Sequence, residues 1–274
     1  MKIKFLGTAA AEAFPAMYCD CENCKKAQKL GGKNIRTRSQ SLIDNKLFID
    51  FSCDTYHHVT TYNINLLDIE NILVTHIHDD HFYPNDLNWM ARGFALPPEN
   101  WHGITVYGSE DIVEPLDEIV KNSRGYLKCE ARPAFVPFNV GEYTVTALKA
   151  NHGTENPYIY VIQKENKTIL YAQDTGLLLD ETKDYLKNSN LLFDMVVMDC
   201  TAGTTDISYS SHMGLPRNIV TRDELINFGL ANQNTKFVLN HFSHNGGNTV
   251  YDDFAPIAEE NGFITSYGGL EIEI

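Results

Sequence analysis

His76-Ile77-His78-Asp79-Asp80-His81 is the stretch on which the reading of this chain turns. It sets three imidazoles and the carboxylate of Asp80 in one short loop, and histidine and carboxylate are the usual ligands of zinc, manganese and iron. His76 and His78, two apart on extended backbone, can point the same way. Asp80 and His81, adjacent and just beyond, can serve a second ion close by. The preceding Ile72-Leu73-Val74-Thr75 reads as a short buried strand, so the loop hangs from a rigid element. Asp79 falls between the two pairs and is expected to face solvent. The plain alternative is a solvated turn that happens to be rich in histidine; the partners found downstream weigh against it.

The chain has 274 residues, 43% hydrophobic and 21% charged, as in an ordinary globular protein. No repeat, low-complexity tract or linker interrupts it, and a single domain over residues 1–274 is expected. No apolar run approaches the roughly 20 residues that span a bilayer. The opening Met1-Lys2-Ile3-Lys4-Phe5-Leu6 alternates like a first strand rather than a secretory signal, so a cytoplasmic location is expected. The formal charge of −14 and the lack of a dense basic run argue against a nucleic-acid partner. A small anionic substrate stays open, because bound divalent cations would offset the charge locally. The composition is compatible with a homodimer.

Cys19-Asp20-Cys21-Glu22-Asn23-Cys24 crowds three of the six cysteines together. In a cytoplasmic chain this points to metal binding rather than disulfides; a disulfide would strand the third thiol. Cys53, Cys129 and Cys200 are expected to be small core residues.

The coarse pattern is strands at 3–6, 41–45, 47–51 and 72–75, a helix over 84–94, a strand at 104–107 and a helix over 111–121. Strands at 128–138, 143–150, 158–163 and 168–172 follow, with a tight turn at Asn166-Lys167. Helices are then expected over 180–187, 221–230 and 252–261, the second opened by a Thr221-x-x-Glu224 capping box. They alternate with strands at 195–199, 237–240 and 263–267. Two halves that each mix sheet and helix suggest an α+β fold, an αββα sandwich of two mixed sheets with outer helices.

Each further ligand candidate follows a strand, where sites on layered folds collect. His152 follows the strand ending at Ala150, Asp174 the strand ending at Ala172, and His241 the strand ending at Asn240. The order His-x-His-x-Asp-His, then His, Asp and His, resembles the metallo-β-lactamase fold superfamily from the first strand to His244. The resemblance implies one ion held by His76, His78 and His152 and a second by Asp80, His81 and His241, with Asp174 bridging. Two ions about 3.5–4 Å apart share a water, ionise it near neutral pH and neutralise charge on an attacked ester. Asp50 matches the superfamily's early strand-end aspartate, a group that orients a ligand histidine.

Three thiolates are one short of the tetrahedron that structural zinc prefers. His244, three residues after His241, is the expected fourth ligand. A Cys-x-Cys-x-x-Cys loop with His-x-x-His resembles the PhnP-like phosphodiesterases, which hydrolyse small cyclic phosphodiesters, typically with manganese at the paired site and zinc at the structural one. His212, in Ser211-His212-Met213-Gly214, stands where that resemblance implies a histidine near the substrate phosphate, as general acid or phosphate ligand. The implied activity is a metal-dependent phosphodiesterase with Asp80 and His212 as its catalytic residues, two divalent cations (manganese or zinc, with iron as a further option) and one structural zinc. Hydrolysis of a thioester or lactam on the same ions, or a PqqB-like non-enzymatic zinc-binding role, are the alternatives. Gly7-Thr8-Ala9-Ala10-Ala11-Glu12-Ala13-Phe14-Pro15 departs from the superfamily's Gly-Thr-rich start. The stretch 88–100, with Trp89, Met90 and Phe94, is expected to pack in the core rather than line the pocket.

Overall fold

A computed structural model of the chain describes residues 1–207 and 211–274. Two seven-stranded sheets carry the fold. The first holds β1 (Lys2–Gly7), β2 (Gln40–Ile43), β3 (Leu47–Ile49), β4 (Asn71–Leu73), β5 (Ile104–Gly108) and β6 (Leu127–Ala131) in sequence order, with β14 (Glu271–Glu273) on the outside of β1. The second runs in sequence order from β7 (Phe138–Val140) through β8 (Tyr143–Lys149), β9 (Tyr158–Lys164), β10 (Lys167–Ala172), β11 (Met195–Asp199) and β12 (Lys236–Asn240) to β13 (Ile264–Thr265). Both are mixed: β3 to β6 pair in parallel, as do β10 to β13, and the remaining pairs are antiparallel.

The period of two along each strand builds the layers. On β9, Tyr158, Tyr160 and Ile162 enter a central core with Ile3, Phe5, Ile49 and Leu73 of the opposite sheet. Ile159 and Val161 point the other way, into an outer core. That outer core is closed by α4 (Asp180–Lys187), α5 (Leu215–Asn227) and α6 (Tyr251–Glu260), through Leu186, Leu225 and Phe254. On the far side α3 (Val113–Asn122) closes the first sheet through Leu116 and Ile119. This is the αββα sandwich. Among the described residues no helix is long and apolar enough to cross a membrane.

Several elements differ from the sequence reading. The expected strand 128–138 is two strands in different sheets, because Pro133 and Pro137 cannot donate to a ladder. The stretch 84–94 makes only a 3-10 turn over Pro84–Met90. α5 starts at Leu215, behind the cap Gly214 and with Pro216 in its first turn, so Thr221 lies inside the helix rather than at its start. The β9–β10 turn is Glu165-Asn166, since Lys164 pairs with Lys167. Helices α1 (Glu22–Leu30) and α2 (Thr55–Thr61) and strand β14 were not anticipated. The β-branched, histidine-containing α2 sequence has poor helix propensity, and α1 starts where the Cys21 sulfur accepts the Cys24 N–H.

Candidate metal centre

The ends of both sheets supply the site. His76, His78, Asp80 and His81 lie on the loop after β4; His152 follows β8, Asp174 follows β10 and His241 follows β12. Asp50 after β3, Asp174 and His241 leave their strands at φ of 67°, 54° and 63°. The left-handed region costs a non-glycine residue on the order of 1–3 kcal/mol and persists only where the surroundings enforce it. At each of these three positions the turn re-aims a functional side chain.

The side chains meet in two groups that share Asp174. His76, His78, His152 and Asp174 offer ligand atoms within 4.8 Å of one another, as do Asp80, His81, His241 and Asp174. In the first group His76 Nε2 is 2.9 Å from His78 Nδ1, and His152 Nε2 is 3.2 Å from that same nitrogen. Asp174 Oδ2 lies 3.3 Å from His76 Nε2. In the second, His81 Nε2 is 3.1 Å from His241 Nε2 and 3.3 Å from both Asp80 Oδ2 and Asp174 Oδ2.

The donor set suits divalent cations. The other ring nitrogens are already committed: His81 Nδ1 to Asp50 Oδ2 at 2.7 Å, His76 Nδ1 to Thr75 Oγ1 at 3.1 Å and His241 Nδ1 to Thr201 Oγ1 at 2.8 Å. Each Nε2 lone pair therefore points inward. Asp174 Oδ1 is a buried oxygen with no hydrogen bond of normal geometry among the described residues. A buried carboxylate in that state is costly unless a cation meets it. Burial alone would raise both carboxyls, but His81 and His241 hold Asp80 below the usual carboxylate range, and His241 and His212 do the same for Asp174. Burial likewise depresses the imidazoles. It takes His76 down to about 4, with His81 adding to the effect, whereas Asp174 and Asp199 raise His241 to about 9.

Around the ligands stands a polar frame, of which the sequence disclosed only Asp50. Asp50 Oδ1 accepts from the Thr75 backbone N–H and hydroxyl, both at 2.8 Å, so its two oxygens join the β4 end to His81. Asp199, at the end of β11, is fully buried. Its Oδ1 takes the Met213 and Thr201 backbone N–H groups, and its Oδ2 takes the Thr201 hydroxyl. With those donors satisfied it serves to position His212, whose Nδ1 is 3.2 Å from Asp199 Oδ2 and 3.0 Å from Asp174 Oδ1. Against the effect of burial, the two carboxylates raise His212 to about 11. The sequence signal for Asp199 was its strand-end position, shared with Asp174. Asp79 is exposed, and so are His57 and His102, while His58 is fully buried.

Cys19, Cys21, Cys24 and His244 form a separate group with ligand atoms within 4.8 Å. His244 Nδ1 is 3.3 Å from Cys19 Sγ and 3.5 Å from Cys21 Sγ. Cys21 caps α1, its Sγ accepting from the Cys24 N–H at 3.4 Å. Burial would raise the Cys21 thiol, yet His244 and the Cys24 N–H take it down to about 6. Burial pushes Cys24 up to about 12, so this thiol stays protonated unless a cation displaces the proton. Of the other cysteines only Cys200 is fully buried; Cys53 and Cys129 are half-buried.

The profile of the beta-lactamase superfamily domain matches residues 49–242. The chain belongs to this family. It is 26% identical over 130 residues to the exodeoxyribonuclease YycJ of Bacillus anthracis, covering 46% of this chain and 44% of that protein. It is 25% identical over 151 residues to ribonuclease Z of Listeria monocytogenes, covering 52% and 48%. The matched stretch is less than half the length of either relative. Among solved structures, zinc-bound PqqB from Methylobacterium extorquens superposes with a TM-score of 0.77 at 17% identity over 100% of both chains. A diphosphatase of the PhnP family superposes at 0.75, also 17% identical, over 100% of this chain and 96% of that one. At such identity the likeness is one of fold.

In this metallo-β-lactamase fold the ligands open onto a cavity of about 370 Å³, with His212 on one wall and Glu12, Ser243 and Asn245 on another. Its described lining contains no lysine or arginine. The stretch 88–100 does not enter this cavity, and of Trp89, Met90 and Phe94 only Met90 packs against the core: Trp89 is 54% and Phe94 68% exposed, as is Leu96 at 97%. Trp89 and Leu96 border a second, apolar cavity of about 410 Å³ with Phe51, Tyr56, Leu87 and Trp101. The expectation of core packing there holds for Met90 and is corrected for Trp89 and Phe94, because the 3-10 turn ends at Met90 and leaves both aromatic rings exposed.

Proposed function

We propose that this chain is a metal-dependent phosphodiesterase of the metallo-β-lactamase fold, acting on a small phosphodiester within one domain of residues 1–274. The observation that carries the reading is the pair of histidine–carboxylate groups sharing the buried, unpartnered Asp174, with His212 beside it in the same cavity. His76, His78 and His152 would hold one divalent cation, Asp80, His81 and His241 the other, and Asp174 both; manganese, zinc and iron suit these donors. Cys19, Cys21, Cys24 and His244 would hold a structural zinc. When bound, the paired cations supply Lewis acidity that lowers the pKa of water and offsets phosphoryl charge.

The remaining work belongs to side chains. His212 is oriented through Nδ1 by Asp199, with Asp174 Oδ1 3.0 Å away, and its Nε2 has no hydrogen-bond partner among the described residues. It is placed to donate a proton to the leaving oxygen or to bind a phosphate oxygen. Thr201 fixes the His241 ring, its hydroxyl oxygen accepting the Nδ1–H at 2.8 Å while its own proton goes to Asp199. The relatives named for nucleases and the PhnP-family diphosphatase support chemistry at phosphorus. The charge of −14 and a cavity without lysine or arginine favour a small substrate over a polymer.

The test is turnover. Protein loaded with manganese or zinc should cleave bis(p-nitrophenyl) phosphate and hydrolyse thioester and lactam probes far more slowly. Faster thioester or lactam turnover, or no phosphodiester turnover with the metals counted by elemental analysis, overturns the reading.

A further inference from the structure

The segment from Gly7 to Pro15, which departs from the superfamily's usual start, brings a carboxylate to the cavity. Glu12 lines the same cavity as Asp80, Asp174 and His212. Its loop is fixed: the Ala10 N–H donates to the Phe242 carbonyl at 3.0 Å, and Phe14 and Arg36 exchange backbone hydrogen bonds. Ser243 donates its hydroxyl to Glu12 Oε1, and Ser243 Oγ in turn accepts the Asn245 N–H at 3.1 Å. One carboxylate oxygen is thus anchored, while Oε2 has no hydrogen-bond partner among the described residues. The Asn245 side chain is likewise unengaged, and Thr205 Oγ1, which accepts the Gly247 N–H at 3.1 Å, keeps its own proton to donate. This wall presents an anionic acceptor and neutral groups, and no cation.

We infer that Glu12, with Asn245 and Thr205, forms a hydroxyl-binding subsite that selects phosphodiesters whose alcohol part carries a vicinal diol and disfavours those carrying a second phosphate there. A carboxylate accepts two O–H groups at the spacing of a vicinal diol, and hydrogen bonds to a charged acceptor are about twice as strong as neutral ones. A further phosphate at the same place would meet Glu12 with nothing to neutralise it. The inference deepens the phosphodiesterase reading and rests on it for the identity of the reacting group.

Two measurements on the full-length, metal-loaded protein test it. The first is calorimetric binding of glycerol 3-phosphate against propyl phosphate, which needs no turnover. The wild type should bind the diol at least about tenfold more tightly, and Glu12→Ala should bring the two together, with Glu12→Gln in between. The second is kcat/KM for 2,3-dihydroxypropyl p-nitrophenyl phosphate against propyl p-nitrophenyl phosphate, where the same ratio should appear, mainly in KM, and shrink in the variants. Equal binding of the two phosphates by the wild type, or binding of neither, overturns the subsite. So does Glu12→Ala weakening both equally with loss of zinc, because Glu12 Oε1 is also 3.8 Å from His244 Nε2 and would then act through the cysteine cluster. Preferential diol binding without cleavage of either diester would leave the subsite standing and remove the phosphodiesterase reading.

Discussion

The two candidate ligand groups of this molecule are assembled in opposite ways. Three of the four donors in the cysteine group come from one loop and the first turn of α1, and backbone N–H groups already hold two of the sulfurs: Cys24 N–H on Cys21 and Ala16 N–H on Cys24. The histidine–carboxylate group gathers donors from the ends of β4, β8, β10 and β12, two of them on left-handed backbone. Short-range geometry can form the first with little more than a helix cap. The second exists only once both sheets have packed, and the stability of the sandwich holds its strain. The segment 241–244 belongs to both, since His241 faces the paired site and His244 the cysteines.

The sharpest way to break the contrast is Asp174→Asn, which keeps shape and removes the shared charge. Phosphodiester turnover should fall about a thousandfold or more, equivalent to roughly 4 kcal/mol of barrier, and elemental analysis should show the paired cations depleted while one zinc per chain remains. Loss of all metals together would mean that the two groups are not separable. Cys24→Ser is the converse. It should release the zinc and lower unfolding free energy by roughly 3–4 kcal/mol, because binding energy at a structural site is folding energy, whereas the paired cations should survive in the folded protein at moderate temperature. Denaturant titration with metal counting checks both halves.

This contrast also explains what could be read from the chain. Cys-x-Cys-x-x-Cys and His-x-His-x-Asp-His are local, so spacing alone singled them out, and the strand-end positions of His152, Asp174 and His241 completed the group by order along the chain. The sandwich followed from two halves that each mix strands and helices, although β9 itself is a continuous apolar run buried on both faces. Apart from Asp50, the polar frame was not legible: Asp199 has no motif, and nothing in Thr201 or Gln40 announces a buried partner. Helix α2 was missed because its residues disfavour helix, and tertiary contacts through buried His58 override that preference.

That same His58 offers a gentler probe of how far the paired site depends on the fold. Its Nδ1–H donates to Gln40 Oε1 at 2.6 Å, and its Nε2 accepts the Thr37 hydroxyl at 2.7 Å. Gln40 Nε2 then donates to the Asp50 carbonyl at 3.1 Å. Burial takes His58 from 6.5 down to about 4. Between those values the unfolded chain binds more protons than the folded one, so this contribution is full above pH 6.5 and is lost as pH falls toward 4. The loss should be roughly 3 kcal/mol. Metal-free protein should show this slope in urea titrations, and His58→Gln should flatten it by that amount. An unchanged slope would detach His58 from the frame.

Asp50→Asn tests the smallest link between frame and ligands. The amide keeps the size of the carboxylate but would place an N–H or a neutral oxygen against His81 Nδ1, which now lies 2.7 Å from Asp50 Oδ2. His81 would lose the partner that fixes its tautomer, so its Nε2 lone pair would face the second cation for only part of the time. Removing such a carboxylate–histidine partner costs about 10–100-fold in metal affinity or activity. The loss should fall on the cation held by Asp80, His81 and His241 and spare the zinc of the cysteine group. Equal weakening of every metal would instead mean that Asp50 matters only as a turn residue at φ 67°, a role that asparagine also fills, so Asp50→Ala would be the worse variant. If asparagine binds metal as the wild type does and alanine alone unfolds the loop, the backbone at this strand end is what the site requires and the carboxylate is dispensable.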